Sequence, residues 1–179
     1  MALGRLPDMS ESAPFPRYRM GEIAYQGLWW AIVLLPAAFV LLRLPTQAGG
    51  TFFLYGVVGL PATIAGQIIA GMMARGYRLR QWRHFLGPVA SRLSLAYYAA
   101  WLLLALTMPD RAAGVEEQAP IGALFGAGFA GVLTGLLMAT IVATYLGLLV
   151  AIFMEGERAV RHWAGAPRTS AEQVEDRFR

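Results

Sequence analysis

The most constraining feature of the sequence is a long run without a single charged side chain, from Gln118 to Met154. Such a run is typical of a membrane-spanning helix. A continuous helix over residues 120–154 would be roughly 50 Å long, whereas the hydrocarbon core of a bilayer is about 30 Å thick. The excess length predicts that part of this segment bends, unwinds or protrudes.

The glycine-rich beginning of this run is where we expect the irregularity. Gly122, Gly126, Gly128 and Gly131 follow one another closely, and each glycine lowers helix propensity by about 1 kcal/mol relative to alanine. We therefore predict a glycine-rich irregular or protruding start to the fourth helix, before a regular span over residues 132–154.

Composition and further apolar runs place the whole chain in the membrane class. Hydrophobic residues make up 57% of it, and its mean hydropathy is +0.50. We predict an all-α, polytopic integral membrane protein with four transmembrane helices. The predicted spans cover about 23–42, 51–74, 85–108 and 120–154. Together they form a transmembrane domain, 23–154, between an N-terminal tail, 1–22, and a C-terminal tail, 155–179.

The placement of arginine predicts the orientation. The N-terminal tail, the second loop and the C-terminal tail carry nearly all the arginines, whereas Asp110, Glu116 and Glu117 make the third loop acidic. Because positive residues stay on the cytoplasmic side, both termini are expected to be cytoplasmic, N-in and C-in. Lysine and asparagine are absent, a bias typical of a GC-rich genome. We therefore expect a multi-pass protein of the bacterial inner (plasma) membrane.

Small residues at every fourth position predict close helix packing on two spans. The row on the fourth span is Ala127, Gly131, Gly135, Ala139, Ala143 and Gly147, and that on the second is Ala62, Gly66 and Ala70. Spacing by four advances about 40° beyond a full turn, so the longer row winds and must be shared by at least two neighbours. The alternative is chance, in a chain rich in alanine and glycine.

Two prolines fall inside predicted spans. Pro36 lies in the first span and Pro61 in the second. Each removes a backbone donor, which predicts a static kink. A hinge for a moving transporter is the alternative.

The second loop is the most basic stretch of the chain. It is predicted to form a short interfacial helix that ends at Gly87 and Pro88, with its cations among anionic lipid headgroups. The expected headgroup residues are Arg75, Arg78, Arg80, Arg83 and Trp82. Basic residues beside a membrane span are usually orientation signals, so we expect no nucleic-acid partner.

Polar residues within the spans are few, and we predict that four of them form one intramembrane layer. These are Arg92, Gln67, Gln26 and Tyr145. An ionisable residue inside a span is a functional candidate by default, which makes Arg92 a candidate substrate or ion site. The structural alternative is that it snorkels to the headgroups or pairs with Glu22 or Glu155.

Groups that carry catalysis are scarce. The chain has no cysteine, and His84 and His162 both lie in basic segments outside the spans. No predicted span contains a carboxylate, and Ser91 and Ser94 have no intramembrane base. We therefore predict no catalytic residue, no metal and no cofactor, and a protein that is not an enzyme.

These features favour a non-catalytic integral membrane subunit, with a structural, assembly or accessory role in a larger membrane complex. Its expected partners are other membrane protein subunits and membrane lipids with anionic headgroups. The alternative is a small homo-oligomeric transporter or channel, supported by Pro36, Pro61, Arg92 and the glycine-rich segment.

Overall fold

The computed structural model of the chain describes residues 19–43, 50–81, 85–108, 110–112, 115–117 and 120–165. Four of its helices are long and apolar enough to cross a membrane, as predicted. The helices are, in chain order, α1 (Arg19–Arg43), α2 (Gly50–Leu54), α3 (Leu60–Gln81), α4 (Pro88–Thr107), α5 (Pro120–Phe125) and α6 (Ala127–Gly165). The rest of the described chain is a π-helical turn, one small hairpin and the short connections at residues 85–87, 108 and 126.

That hairpin follows α4 and was not predicted. Its antiparallel strands are β1 (Asp110–Ala112) and β2 (Val115–Glu117), with Arg111 opposite Glu116. The hairpin lies beside α2.

The four long helices form a ring in the order α1, α3, α6, α4. Both α1 and α6 pack against α3 and α4, so α3 and α4 occupy diagonal corners. Alanines in the contacts let the backbones approach closely. Ala70, Ala90 and Ala151 are buried in one core cluster with Leu28 and Leu148.

A π-helical turn (Tyr55–Gly59) connects α2 to α3 and ends two residues before Pro61. The N–H of Leu60 bonds to the carbonyl of Tyr55, which widens the helix by one residue per turn. Proline lacks an N–H, and its ring clashes with the carbonyl four residues earlier in an α-helix. The wider turn relieves that clash, so Pro61 is accommodated by a π turn.

The helix of the second span continues well beyond residue 74. It includes Arg75–Gln81 as the last turns of α3, so the described part of the basic stretch is not a separate interfacial helix as predicted. Residues 82–84 lie outside the described chain, and Phe85–Gly87 are not helical. The start of α4 is tied to α1, because the N–H of Leu86 donates to the carbonyl of Gly21 over 3.1 Å.

The fourth predicted span consists of two helices. The chain ends α5 at Phe125, passes through Gly126 with a φ of +91°, and starts α6 at Ala127. A positive φ is a conformation that glycine adopts readily and other residues avoid. The regular helix therefore begins five residues before Val132, and it continues past Met154 to Gly165.

Candidate functional site

Halfway along the bundle, its interior contains a group of polar side chains that we call the polar core. Its members are Gln67, Tyr97, Tyr98 and Tyr145. The ring centroid of Tyr97 lies 5.9 Å from that of Tyr98 and 5.7 Å from that of Tyr145. Tyr97 also lies within interaction range of Gln67 on α3. Because α3 and α4 are at diagonal corners, Tyr97 bridges the interior.

Gln67 is the most unusual residue of the polar core. It is 0% exposed, and neither its amide nitrogen nor its amide oxygen has a hydrogen-bond partner among the described residues. The hydroxyls of Tyr55 and Tyr98 and the indole N–H of Trp101 are also buried without a hydrogen-bond partner in the described part of the chain. An unpaired buried polar group costs about 2–7 kcal/mol. Within the described interior, the polar core is therefore the place where a bound polar molecule would form the most hydrogen bonds to groups that have no partner.

A line of aromatic rings connects the polar core to the end of the bundle near α2. Phe39 and Tyr55 stack with centroids 3.7 Å apart, and Trp101 lies 5.9 Å from Tyr55 and 6.4 Å from Tyr97. The π turn places Tyr55 in this line, with its ring against Gly59, where a Cβ would collide with it. These contacts fill the interior with rings, which favours a rigid packed core.

The predicted intramembrane layer is only partly assembled in the structure. Gln67 and Tyr145 come together on adjacent helices, where the Tyr145 hydroxyl donates to the carbonyl of Gly66 over 2.9 Å. Gln26 and Arg92 are exposed on the outside of the bundle.

Sequence reasoning missed Tyr97 and Tyr98, which complete the polar core. Aromatic residues of membrane helices usually lie at the two interfaces. Tyrosines at the middle of the third span were therefore the signal that could have identified them.

Glu155 occupies a second structured polar site, at the start of α4. It is 8% exposed, and its carboxylate accepts the N–H groups of Val89 over 2.9 Å and Ala90 over 3.2 Å. The first turn of a helix has N–H groups without intrahelical acceptors and a partial positive charge, so a carboxylate stabilises it. Glu155 thus caps a neighbouring helix, and no described contact joins it to Arg92.

The two serines of α4 have structural hydrogen bonds. Ser91 Oγ donates to the carbonyl of Gly87 over 2.8 Å, and Ser94 Oγ donates to the carbonyl of Ser91 over 2.8 Å. Both side chains are 0% exposed. Both hydroxyls therefore donate hydrogen bonds to backbone carbonyls of the same segment, as is common for serine in membrane helices.

The small residues of α6 lie mostly outside the bundle. The outer face of α6 includes five exposed small residues, Ala127, Gly131, Gly135, Ala139 and Ala143, beside exposed large ones such as Val132 and Leu136. At Gly131 and Gly135 an added Cβ would meet no atom within 4 Å. The row turns inward only at its end, where the nearest atom to a Cβ on Gly147 would be Leu93 Cδ1 at 3.4 Å.

The shorter row on α3 lies largely inside the bundle. Ala62 is exposed, but Gly66 lies against the Tyr145 ring and Ala70 is 0% exposed. The following position, Gly71, is covered by the Trp29 ring of α1. Small residues on α3 thus give the large rings of its two neighbours room to approach.

The structure describes only part of the predicted headgroup segment. Arg75 is exposed on α3, and Arg78 and Arg80 belong to the same helix, although their side chains are not described. Trp82 and Arg83 lie outside the described residues. Within the described ranges, no cluster of three or more histidine, aspartate or glutamate side chains is suited to a metal ion.

Comparisons with known proteins give no relative from which a role can be transferred. Neither a protein-family model, nor a curated protein, nor a solved structure matches the chain.

Proposed function

We propose that the chain is a non-catalytic integral membrane subunit of a larger membrane complex, in which the outer face of α6 packs against a helix of another subunit. The observation that carries this proposal is the exposure of Gly131, Gly135, Ala139 and Ala143 on the longest helix. Small residues on a membrane helix permit close backbone approach and favour association with a second helix. Among the described residues, no helix packs closely against Gly131 or Gly135.

The length of α6 also supports a role in assembly. Its 39 residues correspond to about 58 Å, roughly twice the thickness of the hydrocarbon core. On this proposal, α5 and the glycine-rich turn at Gly126 form the irregular start on the outer side, and the segment from Glu155 to Gly165 extends into the cytoplasm. Both extensions offer protein surface beyond the bilayer.

We further infer that both termini are cytoplasmic and that the membrane is a bacterial inner membrane. Support comes from the distribution of arginine, since the acidic hairpin between α4 and α5 belongs to the opposite end of the bundle from Arg75 and Arg158. The basic end would then lie among anionic headgroups.

The orientation can be tested directly because the chain has no cysteine. With a membrane-impermeant maleimide on intact spheroplasts, we expect Glu116→Cys to be labelled and Arg158→Cys to be protected until the membrane is permeabilised. The reverse pattern would place both termini outside.

Purification tests the subunit role itself. After extraction in a mild detergent, the tagged chain should co-purify with different proteins in a fixed ratio. The double variant Gly131→Leu/Gly135→Leu should lose them, because leucine fills the space that a partner helix needs. The matched control is Ala62→Leu/Ala65→Leu, at two exposed positions on α3. Recovery of a pure homo-oligomer would overturn the proposal.

A small homo-oligomeric transporter is the second candidate, and the unpaired amide of Gln67 is the observation that favours it. A polar solute passing through the bundle would find its hydrogen-bond partners there. Proton and potassium fluxes in proteoliposomes, followed with pH-sensitive and potential-sensitive dyes, test this candidate. Fluxes above those of empty vesicles that disappear with Gln67→Leu would support it, whereas equal fluxes with and without the protein would remove it for these ions.

A further inference from the structure

Arg92 lies on the face of α4 that points away from the rest of the bundle. Its neighbours on that face are exposed, among them Val89 at 51% and Leu95 at 41%, whereas Ser91 and Ser94 on the opposite face are fully buried. The two long helices that contact α4, α1 and α6, pack on the buried face. The guanidinium of Arg92 therefore points outward, toward whatever surrounds the bundle.

The depth of Arg92 is fixed by contacts at the start of α4. The Leu86 to Gly21 hydrogen bond and the Glu155 cap place the beginnings of α1 and α4 and the carboxylate of α6 at one level. Arg92 lies two residues beyond Ala90, or about 3 Å farther along the helix axis. An arginine side chain at this depth reaches the level of lipid phosphates by snorkelling.

Two of the described carboxylates at this end of the bundle have partners other than Arg92. Glu155 caps α4, and Glu157 lies 4.0 Å from Arg161. Among the described residues, none forms an ion pair or hydrogen bond with Arg92. Its charge is therefore not compensated within the described chain.

Each of the four long helices places an exposed arginine near this end. These residues, the arginine belt, are Arg19, Arg75, Arg92 and Arg158. Exposed apolar residues follow each of these arginines along its helix, but they begin with large side chains at the other three: Ile23 on α1, Met72 on α3 and Met154 on α6. The exposed row that continues from Arg92 along α4 differs because its first two residues are alanines. That row is Ala96, Ala99 and Leu103. At this spacing the residues share one side of the helix, and the two alanines leave a shallow furrow beneath the guanidinium.

We propose that Arg92 binds the phosphate of an anionic phospholipid, whose acyl chain lies along Ala96, Ala99 and Leu103. A guanidinium recognises a phosphate through two parallel charge-assisted hydrogen bonds, which an ammonium cannot match in geometry. The apolar furrow supplies the second half of an amphipathic site. This site is on α4, away from the outer face of α6, and does not depend on the partner proposed there.

The test uses the full chain in detergent, with phosphatidylglycerol as the anionic lipid and phosphatidylcholine as the zwitterionic one. In native mass spectrometry, phosphatidylglycerol should remain bound preferentially. Arg92→Gln should weaken its apparent affinity by about tenfold, the loss expected for a charge-assisted phosphate contact. Arg92→Lys should reduce the apparent affinity for phosphatidylglycerol by less than Arg92→Gln does. The matched control, Arg111→Gln, removes the same charge from the hairpin at the other end and should bind as the wild type does.

A phosphatidylglycerol carrying a photoreactive acyl chain gives a positional readout on the wild-type protein, which remains informative if Arg92→Gln does not accumulate. Cross-links should map to α4 between Ala96 and Leu103. Equal labelling of all four helices, or equal affinity of wild type and Arg92→Gln, would overturn the proposal. Displacement by millimolar inorganic phosphate would identify a free-anion site instead of a lipid site, and cross-linking of Arg92→Cys to a co-purifying protein would assign this face to a protein partner.

Discussion

The carboxylate of Glu155 accepts a hydrogen bond from the backbone N–H of Val89 over 2.9 Å, joining two residues 66 positions apart in the chain. It accepts the N–H of Ala90 as well. The end of the longest apolar stretch of α6 is thereby fixed to the start of α4. This contact decides how deeply α4 lies relative to α6, and it leads to the first two predictions.

Replacement of Glu155 should destabilise the bundle, and the loss should be larger when the new side chain can accept fewer hydrogen bonds from the N–H groups of α4. Glu155→Leu leaves two N–H groups of α4 without acceptors and should lower the free energy of unfolding by about 2–3 kcal/mol. Glu155→Gln retains one acceptor oxygen and should cost about 1 kcal/mol through the lost charge at the helix start. Unfolding by sodium dodecyl sulfate in mixed micelles measures both values.

Glu157→Gln is the matched control for this pair. Glu157 lies two residues after Glu155 on α6. Its carboxylate is 4.0 Å from the exposed side chain of Arg161, in an i,i+4 pair. Such pairs contribute at most about 0.5 kcal/mol. Equal losses for Glu155→Gln and Glu157→Gln would contradict the capping role.

Gly87 should be intolerant of even the smallest side chain. A Cβ at this position would collide with the Glu155 carboxylate, so Gly87→Ala should displace the cap and lower the melting temperature in detergent. Gly76→Ala serves as the control, because Gly76 is an exposed residue of α3 with open space around it. There the substitution should be neutral or stabilise the helix by up to about 1 kcal/mol. A harmless Gly87→Ala would show that the cap moves freely.

Removal of the buried amide in the polar core should not destabilise the protein, in contrast to the substitutions at Glu155 and Gly87. Neither amide atom of Gln67 has a hydrogen-bond partner among the described residues, so Gln67→Leu, of similar volume, should leave stability unchanged or raise it. Tyr145→Phe is the matched comparison, since it deletes the 2.9 Å bond to Gly66 and should cost about 1 kcal/mol. Clear destabilisation by Gln67→Leu would mean that the amide has a bound partner, such as water or a ligand.

The four long helices were predictable because a membrane helix can be recognised from the length and apolarity of one continuous stretch of sequence. The confirmed features are the all-helical class and the number of apolar helices. The π turn was not predicted, but a local feature of the sequence explains it, because Pro61 lies two residues beyond its end. The end of α3 was missed because arginines such as Arg75 break the apolar window without breaking the helix.

The sites were less predictable, because they depend on which faces meet. Position along a span indicated that Gln67 and Tyr145 share a depth, but only the rotation of each helix about its axis separates the buried Gln67 from the exposed Gln26 and Arg92. Every span is apolar on all sides, so its sequence does not mark an inner face. The contact between Glu155 and Val89 joins distant segments, and no local pattern encodes it.

The backbone at Gly126 gives the last prediction. Its φ of +91° is unfavourable for any residue with a Cβ, so Gly126→Ala should destabilise the junction of α5 and α6 by about 1–2 kcal/mol. Gly128→Ala is the control, because Gly128 lies within α6, has open space around it, and should gain up to about 1 kcal/mol of helix propensity. Hydrogen exchange of the amides on either side of the junction, measured in detergent, reports the local effect. Equal protection in the two variants would mean that α5 and α6 join without a left-handed turn, and α6 would then begin at Pro120 as one continuous helix.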